Sequence, residues 1–396
     1  MHLRDVNSMH RSIELFILQR FAYIISAPLF IAETRDGRQT SPADRKELFT
    51  QLQPYPSMNS LTGFIAGIPK AEIHLHIEGT LEPELMVTLG KRNGVSLPFP
   101  DAETARKAYN FSDLQSFLDI YYQATAVLIT EEDFYDLTFA YLKKAASQNV
   151  RHAEIFFDPQ SHTNRGITFE TVIRGIERAV VETHSALNIS TKLIMCVLRH
   201  LSEKEGLKIF DKALAWKQWI AGIGLDSSER GNPPEKFRNL FEKAHEEGFL
   251  TVAHAGEEGS AASIRKTLDT LHVMRIDHGV HCMEDDSLVA ELVQKQIPLT
   301  VCPLSNVRLK VFESMKQHNL KAMLKKGLCV TVNSDDPAYF GGYVNENYLE
   351  AANALHLDRN DIIRLAQNSF TASSLSTVHK QLYLDEIDRY ASSQNT

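Results

Sequence analysis

The sequence has few cysteines, and none of them forms a Cys-x-x-Cys pair. Its 396 residues contain 4 cysteines, which are Cys196, Cys282, Cys302 and Cys329. Each lies in or beside an apolar run, so we expect buried, reduced thiols rather than a disulfide framework or a cysteine metal site. Reduced thiols fit a cytoplasmic protein, or one also found in the nucleus if the source is eukaryotic.

The sequence also lacks an excess of positive charge and a long hydrophobic run. Lys and Arg total 42 against 50 Asp and Glu, for a formal net charge of −8. No basic cluster interleaved with aromatic residues offsets this balance, so we expect no nucleic-acid partner. The apolar stretch at residues 21–32 is too short to span a bilayer. The composition therefore predicts a soluble globular protein without a membrane partner.

From residue 71 onward, short apolar β-branched runs alternate with longer amphipathic segments. The candidate strands are residues 71–79, 150–159, 191–200, 220–226, 250–257, 274–280, 297–306 and 328–336. Eight strands that alternate with helices predict an α/β fold, a parallel (β/α)₈ TIM barrel. The long interval between the first two strands predicts inserted helices there.

The barrel prediction divides the chain into two parts. Residues 58–396 are expected to form the barrel domain, and residues 1–57 are expected to be an N-terminal appendage. No small-residue cleavage site follows the apolar stretch, so a targeting signal is disfavoured. The appendage is predicted to be disordered or to lie upstream of the natural start, for which Met58 is the candidate.

Polar, chemically capable side chains follow the predicted strands where the strands end. In such a barrel the active site lies at the carboxyl ends of the strands. Strands one, five, six and eight supply His74, His76, His254, Glu257, His278, Asp335 and Asp336. Singly, His254 is also compatible with a core histidine, and the two aspartates with turn caps. Together, three imidazoles and a carboxylate form a ligand set that suits Zn²⁺.

The motifs HxHxEG, HAGE, DHG and SDDP occur in this order on these strands. They resemble the adenosine/adenine deaminase branch of the amidohydrolase superfamily, over residues 62–390. The resemblance implies one Zn²⁺ with four protein ligands, which are His74, His76, His254 and Asp335. It also implies Glu257 as a proton shuttle, His278 as the residue that orients the attacking hydroxide, and Asp336 as a substrate-binding residue. Since strand four carries no lysine to bridge two metals, we expect one zinc ion per chain.

Two positions bear on the choice between a nucleoside and a free base. Glu78 stands where the nucleoside enzymes carry an aspartate, and its longer side chain is expected to occupy the space of a ribose. Glu229 is expected to accept a hydrogen bond from the N9–H group that only a free base has. The segment GLDSSERGNPP also resembles adenine deaminases more than adenosine deaminases.

The predicted activity is hydrolytic deamination of adenine to hypoxanthine and ammonia, with a small purine as the partner molecule. Adenosine and an N6-substituted purine remain alternative substrates, and a catalytically dead purine-binding protein remains a non-enzyme alternative. The sequence assigns no oligomeric state. Residues 111–122 carry Leu114, Phe117, Leu118 and Tyr121 at helical spacing. This pattern fits an ordinary core stripe and equally an apolar lid over the purine.

Overall fold

A computed structural model describes residues 60–394, and the expectation for residues 1–57 lies outside this range. Its eight strands follow one another in chain order and form one parallel sheet. The strands β1 to β8 are Lys70–His76, Val150–Phe157, Ser190–Leu198, Ile220–Asp226, Leu250–Ala255, Arg275–His278, Leu299–Val301 and Val330–Val332. Each predicted strand is confirmed, and every strand except β4 is shorter than predicted.

The sheet closes into a barrel through the segment just after β8. Leu75 forms a parallel bridge with Asp335. The amide of His76 donates to the carbonyl of Asp335 at 3.0 Å, and the amide of Asp335 donates to the carbonyl of His74 at 3.2 Å. Backbone bonds that close the barrel therefore align strand one with the chain after strand eight.

Helices follow the strands and cover the outer face of the barrel. In chain order, α1 to α17 are Leu61–Gly67, Pro83–Asn93, Ala102–Ala108, Leu114–Ala124, Glu131–Ser147, Pro159–Thr163, Phe169–Leu187, Glu203–Ala213, Arg238–Glu246, Ala261–Leu271, Asp286–Lys295, Pro303–Arg308, Leu320–Lys325, Pro337–Phe340, Val344–Leu355, Arg359–Thr371 and Thr377–Ser393. Four of them, α2 to α5, lie between β1 and β2, which confirms the predicted insertion. Within residues 60–394, no helix is long and apolar enough to cross a membrane.

Burial explains why these segments adopt these elements. All seven residues of β1 are buried, as expected for a parallel strand that has side chains on one face and helices on the other. The long helix α5 is capped at its N-terminus by Thr130, whose side chain accepts from the amide of Asp133 in a capping box. Polar faces of the helices remain in solvent, and the strand ends are left at the barrel mouth to carry chemistry.

Candidate active site

Four side chains converge at the carboxyl-terminal mouth of the barrel. One candidate ligand atom from each lies within 4.8 Å of the others, and all four residues are buried: His74, His76, His254 and Asp335. Oδ1 of Asp335 lies 3.2 Å from Nε2 of His74 and 3.6 Å from Nε2 of His76. Nε2 of His76 lies 3.3 Å from Nε2 of His254. The structure thus brings together the four residues expected to bind the metal.

At this mouth, two residues adopt backbone conformations that are rare for residues other than glycine. Asp335 and His278 both have φ near 62°, a left-handed conformation that is costly for residues other than glycine. Gly79 explains the glycine of the first motif, since a Cβ there would lie 2.0 Å from Oδ1 of Asp336. Close approach of strands one and eight therefore requires a residue without a side chain at position 79.

A second layer of polar groups orients the imidazoles. Nδ1 of His74 lies 2.8 Å from Oγ1 of Thr300, which donates to Oδ1 of Asp277 at 2.8 Å. The hydrogen of His74 therefore lies on Nδ1, and Nε2 faces the site with its lone pair. Asp277 also lies 3.8 Å from Nδ1 of His254, and Asp226 lies 3.6 Å from Nδ1 of His76.

These residues fit a bound Zn²⁺. Nε2 of His74 is buried without a hydrogen-bond partner. Burial lowers the pKa of His76 to about 4 and the pKa of His254 well below its usual value, so both rings are in the neutral form that binds metals. Cys302 also lies near His74 and Asp335. Burial raises the pKa of its thiol well above the usual value, and this disfavours the thiolate that a metal would need.

Glu257 and His278 lie beside this cluster. Oε2 of Glu257 lies 3.5 Å from Nε2 of His278, which is 3.9 Å from Oδ2 of Asp335. Oε1 of Glu257 is buried without a hydrogen-bond partner. Burial, and then the charge of Asp335, raises the pKa of Glu257 well above its usual value. A carboxyl in these surroundings can hold a proton at neutral pH and transfer it.

A pocket opens directly over the cluster. The candidate ligands His76, His254 and Asp335 line it, together with Glu257 and Asp336. Apolar and aromatic residues of α4 form much of its remaining wall, and these are Leu114, Phe117, Leu118, Tyr121 and Tyr122. The four residues of the predicted helical stripe are thus both buried and exposed to the pocket. The core stripe and the pocket wall are the same surface.

The structure places Glu229 differently from the sequence expectation. Oε1 accepts from the amides of Glu257, Glu258 and Gly259 at 2.8, 3.0 and 3.2 Å. Oε2 accepts from the amide of Gly256 and the hydroxyl of Ser263. Both oxygens are engaged by the loop after β5, and Glu229 is not among the residues that line the pocket over the cluster. We therefore correct its expected contact with N9–H.

Glu78 also differs from its expected position. It is fully buried, and Oε1 accepts from the amide of Asp158 at 3.1 Å and from Nε2 of His162 at 2.9 Å. Burial raises the pKa of Glu78 to about 7. These bonds support the end of β2, and Glu78 is not among the residues that line the pocket over the cluster, so we correct its expected place in the space of a ribose.

Two other carboxylates line the pocket and were not singled out from the sequence. Asp158 follows β2, and Asp226 ends β4. A side-chain hydrogen bond joins them, and within residues 60–394 the Oδ1 atom of each is buried without a hydrogen-bond partner. Burial, and then the charge of Glu78, raises the pKa of Asp158 to about 8. Their positions were the available signal, since both lie at the ends of predicted strands.

The architecture and the buried cluster define an α/β-barrel enzyme with a candidate metal centre at the carboxyl-terminal mouth. A family model described as "Adenosine deaminase" matches residues 69–390, and the chain belongs to this family. An adenine deaminase of Chlorobium luteolum is 67% identical over 334 residues, which cover 84% of this chain and 98% of the relative. One of Wolinella succinogenes is 53% identical over 330 residues, which cover 83% and 100%.

Solved structures show the same architecture. The crystal structure of an adenine deaminase from Arthrobacter aurescens matches with a TM-score of 0.81 and 51% identity, over 82% of this chain and all of that chain. An amidohydrolase from Burkhoderia ambifaria, solved with bound Zn, shares the fold with a TM-score of 0.77 and 24% identity, over 91% of this chain and 97% of that chain.

Proposed function

We propose that this enzyme hydrolyses the exocyclic amine of adenine and releases hypoxanthine and ammonia. The observation that carries the proposal is the convergence of His74, His76, His254 and Asp335 beside Glu257, under a pocket lined by carboxylates and aromatic residues. The names of the relatives at 53–69% identity support adenine as the substrate. We place the reaction in purine salvage in the cytoplasm, in keeping with four free, buried cysteines.

We propose that the four clustered residues hold one Zn²⁺. When bound, this ion supplies Lewis acidity that makes a water molecule nucleophilic near neutral pH. The fit rests on a donor set of three nitrogens and one oxygen, and on the imidazole orientation set by Thr300 and Asp277. The Zn-containing amidohydrolase from Burkhoderia ambifaria has the same fold.

Side chains of the protein then transfer the protons and orient the attacking water. Attack at C6 disrupts the aromatic ring, so the adjacent ring nitrogen must gain a proton as the new C–O bond forms. Glu257 is assigned as the donor, since its buried carboxyl retains a proton and has a free oxygen. His278, between Glu257 and Asp335, is assigned to hold the attacking water in line. The attacking water supplies both remaining protons: one returns to Glu257, and the other passes to the amine, which leaves as ammonia while C6 becomes a carbonyl carbon.

Residues of the pocket wall are assigned to position the purine. Asp336 lines the pocket beside Asp335 and is assigned to bind the five-membered ring. Phe117 and Tyr121 cover the ring face with apolar surface and exclude water, which strengthens the electrostatic interactions within the site.

The test is a rate comparison of adenine, adenosine and N6-methyladenine, followed by absorbance and by ammonia release. We expect adenine to be the best substrate, with one ammonia released for each hypoxanthine formed. Removal of the metal with a chelator should abolish the activity, and added Zn²⁺ should restore it. Faster turnover of adenosine would assign the enzyme to nucleosides. The absence of reaction with all three, in a protein that carries metal, would indicate a purine-binding protein without activity.

A further inference from the structure

We propose that Asp158 is the residue that selects a free purine base, by accepting the N–H group of its five-membered ring. This inference rests on the proposed function and deepens it. It assigns to Asp158 the selectivity that the sequence had placed on Glu78 and Glu229.

The first support is an acceptor that lacks a donor. Asp158 is 3% exposed and lines the pocket, and its Oδ1 has no hydrogen-bond partner among the described residues. A buried carboxyl oxygen without a donor costs free energy. A ligand that brings an N–H group into the pocket removes that cost. Free adenine has such a group at N9, and a nucleoside does not, because its sugar is attached there.

The second support is the order of the strands around the barrel. The pocket residues Asp336, Asp158, Asp226 and Glu257 follow or end strands β8, β2, β4 and β5. Around a purine, the nitrogens N7, N9, N3 and N1 follow one another in the same cyclic order. With N1 at Glu257 and N7 at Asp336, as the proposed mechanism requires, N9 faces β2 and therefore Asp158. The edge that carries N3 then faces the end of β4.

The third support is that Asp158 is held firmly in place. Its backbone amide donates a hydrogen bond to the buried carboxylate of Glu78, and its side chain is hydrogen-bonded to that of Asp226. Pro159 begins the helix that follows at once. A fixed acceptor discriminates well, because it cannot move aside for a substituent. A carbon substituent at N9 would both remove the donor and contact this carboxyl.

Substrates that differ only at N9 provide the test. We expect wild-type enzyme to deaminate 9-methyladenine with a kcat/KM at least about 100-fold below that for adenine. Asp158→Ser replaces the carboxylate with a shorter hydroxyl group, which withdraws the acceptor from N9 and opens space. We expect it to lower kcat/KM for adenine by about 10- to 100-fold and to reduce the preference for adenine over 9-methyladenine at least 10-fold. Asp158→Asn keeps an acceptor oxygen of the same size and should retain most of the preference. Asp269→Ser, at an exposed helix position, is the matched control.

Binding of the products gives a readout that does not depend on turnover. Calorimetry should show that wild-type protein binds hypoxanthine at least 10-fold more tightly than 9-methylhypoxanthine, and that Asp158→Ser abolishes this difference. An unchanged difference in a folded Asp158→Ser protein would overturn the inference. So would the loss of a bound metal ion in that variant, which would make Asp158 a ligand. Failure of wild-type enzyme to deaminate adenine would instead overturn the proposed function, and the product-binding comparison would still decide the role of Asp158.

Discussion

The carboxylate of Glu229 accepts a hydrogen bond from the backbone amide of Glu257 at 2.8 Å, so the side chain of one glutamate positions the backbone of another. The same carboxylate binds the amides of Gly256, Glu258 and Gly259. Gly259 leaves room for it, since a Cβ there would lie 2.5 Å from Oε2 of Glu229. Several amides on one carboxylate resemble an anion-binding loop, and here the anion is supplied by the protein. Glu229 is thus a positioning residue for the proton donor.

Removal of this carboxylate should affect turnover more than substrate preference. We expect Glu229→Ala to lower kcat for adenine by about 10- to 100-fold with a small change in KM, because a misplaced proton donor weakens the transition state rather than binding. Steady-state kinetics with adenine and adenosine measure both effects. Glu229→Gln keeps one acceptor oxygen and should lie between wild type and Glu229→Ala, and Glu235→Ala on the surface is the control. A large gain in adenosine turnover would instead return Glu229 to the substrate pocket.

Replacement of the proton donor tests its assigned role directly. Glu257→Gln preserves size but cannot deliver a proton, so we expect kcat to fall by about 10³-fold or more. The metal content should stay equal to that of wild type, because Glu257 is not one of the four clustered residues. Metal analysis and single-turnover kinetics with adenine separate these quantities. Retention of more than a tenth of the wild-type rate would exclude Glu257 as the donor.

The polar groups that orient the imidazole of His74 should affect the affinity for the metal. Thr300→Val removes the hydroxyl that links Nδ1 of His74 to Asp277. We expect Zn²⁺ affinity to fall by about 10- to 100-fold, as is typical when a group that orients a ligand is lost. Competition with a chromogenic chelator measures this change. Thr331→Val, at a buried threonine of the neighbouring strand β8, should leave the affinity unchanged. Equal losses in both variants would indicate a general packing effect.

The buried amine of Lys70 should make the free energy of unfolding depend on pH. It is fully buried and donates to the carbonyl of Gln148 at 2.9 Å. Burial, and then the charge of Arg151, lowers its pKa from 10.5 to about 7. Since the unfolded chain binds this proton more tightly, the buried charged amine destabilises the folded protein. This destabilisation is complete below about pH 7 and fades as the pH rises toward 10.5.

Lys70→Met should therefore raise the free energy of unfolding by about 1–2 kcal/mol at pH 7. The gain should be clearly smaller at pH 9.5, where the folded wild type has already lost the proton. Chemical denaturation at the two pH values measures the difference. Lys192→Met, at an exposed position of β3, should show no such dependence. An equal gain at both pH values would contradict the assigned pKa shift.

Much of the fold and the ligand set follows from local patterns in the chain. A strand of the barrel is recognised by its apolar run, and the residue that ends it must lie at the mouth. The positions of His74, His254 and Asp335 at strand ends are enough to predict that they lie together. The same argument applies to Asp226, which ends β4, but strand position alone does not indicate that it pairs with Asp158.

The sequence by itself determined the barrel, the composition of the buried cluster and the family to which the chain belongs. Only the tertiary structure decided where Glu78, Glu229 and Asp158 point. The physical reason is that strand periodicity fixes side-chain direction within a strand, whereas beyond its end the direction depends on which distant amides and hydroxyls offer hydrogen bonds. The loop amides at 256–259 engage Glu229, and the amide of Asp158 engages Glu78. No local pattern encodes those partners.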